Sequence, residues 1–282
     1  MYKPITGMKK ILLALILTSF QQVLFAQYYY KDILTTSQTN QLYNQLTREN
    51  IKKITLSSYD GNSAETAGFS CEQRVDNRKK TISTITRTAV MGDSFFEATY
   101  NEKGQLASSK DSAQNASSKA GYSYDADGRL LQISTSSTSD NVTTTETHQW
   151  SYDAAGKPSG MLRIRNNVDT TRVSFVLDEN GNVVEEKAVR RNLPAVTVFY
   201  YYDQANRLTD IVRYNAKAQR LLPDYMFEYN ENGQLKKMTV IPEGTNEYQI
   251  WYYQYLPNGL KRMELVYNKQ QQLMGKVEYS YE

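Results

Sequence analysis

Cysteine is almost missing from this chain. Cys71 is the only one in 282 residues, so no internal disulfide can form. An exported chain of this kind must be held by packing and hydrogen bonds. Cys71 itself is expected as a small buried side chain in a strand. Histidine is equally scarce: His148 stands alone, with Glu146, Trp150 and Tyr152 on the same strand face by the two-residue period. With no second His and no Cys nearby, a metal or catalytic role has no partners, and a structural histidine is expected. No phosphate-cradling glycine loop, zinc spacing or G-x-S-x-G elbow occurs. These absences predict a chain that is not an enzyme and takes no cofactor and no metal.

Long apolar runs are also absent. The run that begins at Ile11 follows Lys3, Lys9 and Lys10 and ends at Ala26, a small residue before Gln27. It is too short to cross a bilayer and has no stop-transfer flank. Residues 1–26 therefore read as a signal peptide, which predicts export to the periplasm, the cell surface or the medium. No integral membrane segment is expected after its removal. An excess of one charge sign is missing as well. The leader carries three lysines and no acid, and its loss leaves 30 basic and 30 acidic side chains. A neutral chain has no electrostatic reason to bind nucleic acid.

What the chain does have is a repeated phrase: an aromatic or Leu, Asp or Asn, two free residues, Gly or Asn, one free residue, then Leu or Val. ATYNEKGQLASS (98–109), YSYDADGRLLQI (122–133), YYYDQANRLTDI (200–211) and FEYNENGQLKKM (227–238) are the clearest copies. WSYDAAGKPSGM (150–161) and FVLDENGNVVEE (175–186) are weaker, and YQYLPNGLKRM (253–263) is one residue short. Tyr100, Tyr124, Tyr152, Leu177, Tyr202, Tyr229 and Tyr255 open the seven copies at intervals of 24, 28, 25, 25, 27 and 26 residues. Each interval has room for two strands, a tight turn and a looser loop.

Turn chemistry explains most of the phrase. Asn101, Asp125, Asp153, Asp178, Asp203 and Asn230 are placed to accept backbone N–H groups of a type I turn. Gly104, Gly128, Gly156, Gly181, Asn206 and Gly233 sit where a left-handed residue is needed. The Asp-Asn-Gly density around Asp125 and Asp178 resembles calcium-loop fragments, but the ligand spacing is incomplete and turn chemistry accounts for both. After each turn the apolar residues are three apart, as in Leu130 and Ile133, which predicts a bulged or twisted return strand.

Runs rich in Tyr, Val, Ile and Thr from about Tyr59 onward read as strands. The Ser- and Thr-rich stretches 107–119 and 134–147 read as the looser loops between units. Before them, Leu42, Leu46 and Ile51 predict one short helix within Ser37–Ile54, capped by Ser37 or Thr39 and packed on a sheet edge. The domain plan is thus a signal peptide (1–26), a helical segment (27–58) and a hairpin-repeat domain (59–282). The fold class expected is mostly β: consecutive antiparallel hairpins in a twisted, solenoid-like sheet with a short N-terminal helix. The rival, a closed outer-membrane barrel, is set aside because Asp210, Arg213 and Glu228 interrupt strands that should present a continuous apolar band.

Tyr is the dominant aromatic, 23 against 8 Phe and 2 Trp. Rows of rings at Tyr200 and Tyr202, and at Trp251, Tyr253 and Tyr255, could stack on flat sugar faces if exposed. The competing and favoured account is that they fill the core and cover its edge.

The phrase Tyr-x-Tyr-Asp-x-x-Gly-Arg-Leu at Tyr122–Leu130 resembles the YD repeat of the rearrangement-hot-spot (RHS) family. Tyr200–Leu208 and Phe227–Leu235 match with substitutions, and the resemblance covers residues 95–282. In large bacterial members it implies a β-strand shell around a toxin, or cell-surface contact and carbohydrate binding. Seven units are too few for a shell and no toxin domain follows, so the shell and toxin functions are not carried over. The expectation is an exported, non-catalytic repeat scaffold at the cell surface or in the periplasm, with a surface protein or polysaccharide as partner. The alternative is a carbohydrate-binding module using exposed Tyr and Trp, and a weaker one is a hydrolase with loop carboxylates.

Overall fold

The computed structural model describes residues 28–216, 218–242 and 247–282. The expected signal peptide lies outside the described residues. Helix α1 (Lys31–Arg48) comes first. The first nine strands are β1 (Lys53–Asp60), β2 (Ser70–Asp76), β3 (Thr81–Thr88), β4 (Gly92–Tyr100), β5 (Leu106–Ala113), β6 (Ala116–Tyr124), β7 (Leu130–Ser139), β8 (Val142–Tyr152) and β9 (Pro158–Arg165). The second nine are β10 (Asp169–Leu177), β11 (Val183–Arg190), β12 (Val196–Tyr202), β13 (Leu208–Asn215), β14 (Arg220–Tyr229), β15 (Leu235–Val240), β16 (Gln249–Tyr255), β17 (Lys261–Tyr267) and β18 (Leu273–Tyr281).

Every strand pairs antiparallel with its sequence neighbours, and β18 then pairs with β1, from Ile54 opposite Tyr281 to Asp60 opposite Gly275. The sheet of 18 strands is therefore a closed barrel. This corrects the open, solenoid-like sheet. Hairpin rules are the same for an open and a closed array. Closure depends on the first and last strands meeting, which removes two edges of unpaired N–H and C=O groups. The charges that spoke against a barrel do not oppose closure. Asp210 and Glu228 lie on the outer face, opposite the exposed Met226 and the partly covered Lys237. Arg213 lies on the inner face, where Asp224 pairs with it.

The repeated turns all fall at one end of the barrel. In the first six, the Asp or Asn oxygen takes the turn's own N–H groups; Asp125 Oδ1, for example, accepts from Arg129 N at 2.8 Å and Oδ2 pairs with Arg129 Nε. Gly128 adopts φ +85, and Asn206 fills the same place at φ 58. The register shifts at each return, as between Ser123 and Tyr124. That bulge puts Leu130 and Ile133 on one face, opposite Tyr124 and Tyr122.

The stretches 107–119 and 134–147 are not loops. They lie in β5 to β8, joined by two-residue turns at 114–115 and 140–141, with Asp140 and Asn141 both at positive φ. Ser and Thr on both faces erased the apolar alternation by which strands are read.

The helix also departs from expectation. It begins at Lys31, ends at Arg48, and has no side-chain cap of its own. It lies inside the barrel near the turn end rather than on an edge. Tyr43 stacks on Tyr100 at 3.7 Å between ring centroids. Asn40 Oδ1 accepts Leu106 N at 2.8 Å, and Gln45 Nε2 donates to Asn258 O at 2.8 Å. Its segment enters all three apolar clusters of the interior, through Tyr43 and Leu46, through Tyr29, and through Tyr28 and Tyr30. A barrel this wide would otherwise leave a channel; here the helix and inward tyrosines fill its turn end. Cys71 is buried and accepts a hydrogen bond from Thr86 Oγ1 at 3.4 Å.

Candidate functional site

The densest polar chemistry of the described residues lies where the start of α1 meets the wall. Glu186, on β11, is fully buried. Its carboxylate accepts the backbone N–H of Tyr29 and of Tyr30 and the hydroxyl of Tyr200, all at 2.8 Å. The free amides that begin a helix are thus satisfied by a strand on the opposite side of the sequence. Burial pushes the Glu186 carboxyl up, and the three donors pull against it without cancelling it.

Beside it runs a chain of charges. Asp32 in the first turn of α1 contacts His148 Nδ1 at 2.6 Å, and His148 Nε2 contacts Glu146 at 2.9 Å. Arg163 continues the chain from Glu146 at 2.5 Å to Asp169 at 3.8 Å, and Arg190 ends it on Asp169 at 2.7 Å. Burial alone would lower the His148 imidazole, but its bonds to Asp32 and Glu146 outweigh that and raise it to about 9. Burial would raise Glu146, but the bonds from His148 and Arg163 hold it at about 2. His148 is therefore a cation at neutral pH with both nitrogens engaged. It has no lone pair with which to take a proton, and both of its carboxylate partners are bonded to it. This cluster docks a helix. Among the described residues no group of three or more His, Cys, Asp or Glu is arranged to hold a metal ion.

The aromatic rows singled out in the sequence face the interior. Tyr200 is 2% exposed. Tyr202 donates its hydroxyl to Val183 O at 2.9 Å and Tyr255 to Leu235 O at 2.8 Å. Tyr253 lies under Lys261 Nζ, 5.1 Å from the ring centroid, and Trp251 stands opposite Met238 and Val266. These rings are not presented to a sugar outside the barrel. The exposed rings are others: Phe95 at 39%, Tyr201 at 48% and Tyr214 at 60%.

The turn tyrosines have a role that turn chemistry did not reveal. Tyr124, Tyr152, Tyr202, Tyr229, Tyr255 and Tyr281 each donate their hydroxyl to a carbonyl at the start of the preceding unit's return strand. Arg129 and Arg207, in the turns, lie over the rings of the next unit's Tyr152 and Tyr229. The phrase thus ties each hairpin to the one before it. The return of a tyrosine at the same place in nearly every copy was the available signal. Tyr100, at the first copy, stacks on α1 instead.

No protein-family model matches the chain, and no curated protein matches it. Among solved structures it is similar to a porin-like protein from Bacteroides uniformis, 10% identical over 82% of this chain and 96% of that one, with TM-score 0.44. A porin-like protein from Bacteroides vulgatus is 13% identical over 82% and 98%, with TM-score 0.27. The TcdB2-TccC3 structure is 12% identical over 74% of this chain and 16% of that one, with TM-score 0.29. At these TM-scores none of them assigns a family or a function. The YD-repeat and solenoid description is accordingly withdrawn: the copies are hairpins of a closed barrel, and no family is assigned.

Proposed function

We propose that this chain is an exported, non-catalytic barrel of the bacterial envelope that acts as an interaction scaffold through its outer surface and not through its lumen. The observation that carries this reading is the docking of α1, in which Glu186 and the Asp32–His148–Glu146–Arg163 chain are spent on holding the helix inside the wall. A second feature supports work in water. The outer face carries charges in mid-strand, among them Glu72, Arg74, Lys110, Arg172 and Lys187, where a lipid-facing band would be apolar.

The test is phase partitioning and planar-bilayer recording of the chain lacking residues 1–26. The reading expects the protein in the aqueous phase, no conductance, and saturable retention on envelope fragments. Partition into detergent together with stepwise conductance would overturn it.

A further inference from the structure

We infer that the outer face of β5 to β8 carries a binding groove for an anionic polysaccharide. This rests on the proposed work through the outer surface and names its ligand class. The groove is an open, shallow depression of about 500 Å³, the shape that suits an extended chain lying along the surface. Its walls are the hydroxyls of Ser134, Ser136, Thr145 and Thr147, with Lys110 and Lys119 at one side. A barrel wall is ordinarily convex outward. Here the inward side chains beneath the groove, Ser109, Ala120 and Thr135, are small, where neighbouring positions carry Tyr122 and Tyr124.

Two features separate this groove from a merely hydrated surface. First, Lys110 and Lys119 are directly opposite on paired strands. Like charges so placed oppose folding, by roughly 0.2–1 kcal/mol. Glu97 reaches Lys110 only at 4.0 Å, and among the described residues no acid forms an ion pair with Lys119. An anion lying between the two ammonium groups would relieve this. Second, Gly121 forms part of the floor, and a Cβ built on it would meet nothing within 4 Å. Packing does not require a glycine there, and a glycine inside a strand weakens it. Its effect is an open floor where a ligand can approach the backbone.

The chemistry then selects the class. Hydroxyl rows that both donate and accept match a polyhydroxylated chain, and two cations match its carboxylate or sulfate groups. No aromatic ring lines the groove, so neutral sugars have no stacking platform there. Nucleic acid would require a longer track of cations or rings for the bases.

The test is binding of the chain lacking residues 1–26 to polygalacturonate, sulfated dextran, neutral dextran and a single-stranded oligonucleotide, by affinity electrophoresis and calorimetry. Binding is expected for one or both anionic glycans and not for neutral dextran, and it should weaken as salt rises. The first two arms distinguish carboxylate from sulfate. Lys110→Ala with Lys119→Ala should weaken binding tenfold or more. Gly121→Val, which keeps both charges and fills the floor, should weaken it comparably, with both variants melting within a few degrees of the parent. Binding to none of the glycans, equal binding by the variants, or preference for the oligonucleotide would each overturn the inference. Aqueous partitioning without glycan binding would sink the groove and leave the scaffold reading standing, whereas conductance would sink the scaffold reading first.

Discussion

The backbone N–H of Tyr29 donates to the carboxylate of Glu186, at 2.8 Å to Oε1 and 2.9 Å to Oε2, across 157 residues of chain. A strand of the second half thereby caps a helix that precedes the first strand. The helix start has no side-chain cap of its own, so its stability is tied to the wall.

Glu186→Ala should therefore loosen α1 before it loosens the barrel. Two backbone N–H groups and the Tyr200 hydroxyl lose their acceptor, at about 1–3 kcal/mol for each buried group left unsatisfied. Hydrogen exchange should quicken in residues 30–48 while β6 to β8 stay protected. Unchanged protection of α1 would refute the anchoring role.

The charge chain predicts a pH profile. His148 is raised from 6.5 to about 9, so its contribution is full below pH 6.5 and is lost as pH rises through 9. Glu146 is lowered from 4.5 to about 2, so its contribution is full above pH 4.5 and is lost as pH falls through 2. Glu186, raised by burial, adds a decline as pH climbs past the ordinary carboxylate range. Melting temperature should fall between pH 6.5 and 9, and His148→Gln should flatten that fall. A variant as pH-dependent as the parent in this window would contradict the assignment.

The tyrosine latches predict small, additive losses. Tyr152→Phe removes the bond to Leu130 O, 2.7 Å long, and should cost about 0.5–1.5 kcal/mol in urea unfolding. Latches in distant units share no partners, so Tyr152→Phe and Tyr229→Phe should sum within about 0.5 kcal/mol. A null effect at both would return the tyrosines to simple ring burial.

Gly104 separates turn strain from helix docking. It adopts φ +71, and a Cβ there would meet Asn44 Oδ1 of α1 at 2.1 Å. Gly233 has the similar φ +76 but only Arg207 Nη1 at 4.0 Å. Gly104→Ala should thus cost more than Gly233→Ala, and Asn44→Ala should recover the difference. Equal costs would show that α1 does not press on this turn.

Stacking predicts a large loss from a single ring. Tyr43 and Tyr100 are buried, with ring planes within 6° of parallel. Tyr43→Ala should cost on the order of 3–5 kcal/mol, the scale of emptying an aromatic site, read as a fall in the denaturation midpoint. A loss below 1 kcal/mol would mean that the turn end of the barrel is stable without its plug.

The sequence by itself determined what is local. Asp125, Gly128 and their counterparts specify turns because their partners lie within four residues, and Leu130 with Ile133 already announced a bulge. The strands of Ser and Thr were illegible for an equally local reason: Ser109 and Thr135 stand at inner positions where large apolar residues would have marked the face, and Ser134, Ser136, Thr145 and Thr147 line the outer one, so the two faces read alike. The tertiary structure decided the rest. Whether β18 meets β1 depends on twist summed over 18 strands, which no single turn encodes. The side to which Tyr200 and Tyr253 point depends on which face the closed wall encloses. Glu186 and His148 could not be read as anchors until closure brought them against Tyr29 and Asp32, because charge pairs of this kind are defined by distance in space and not along the chain.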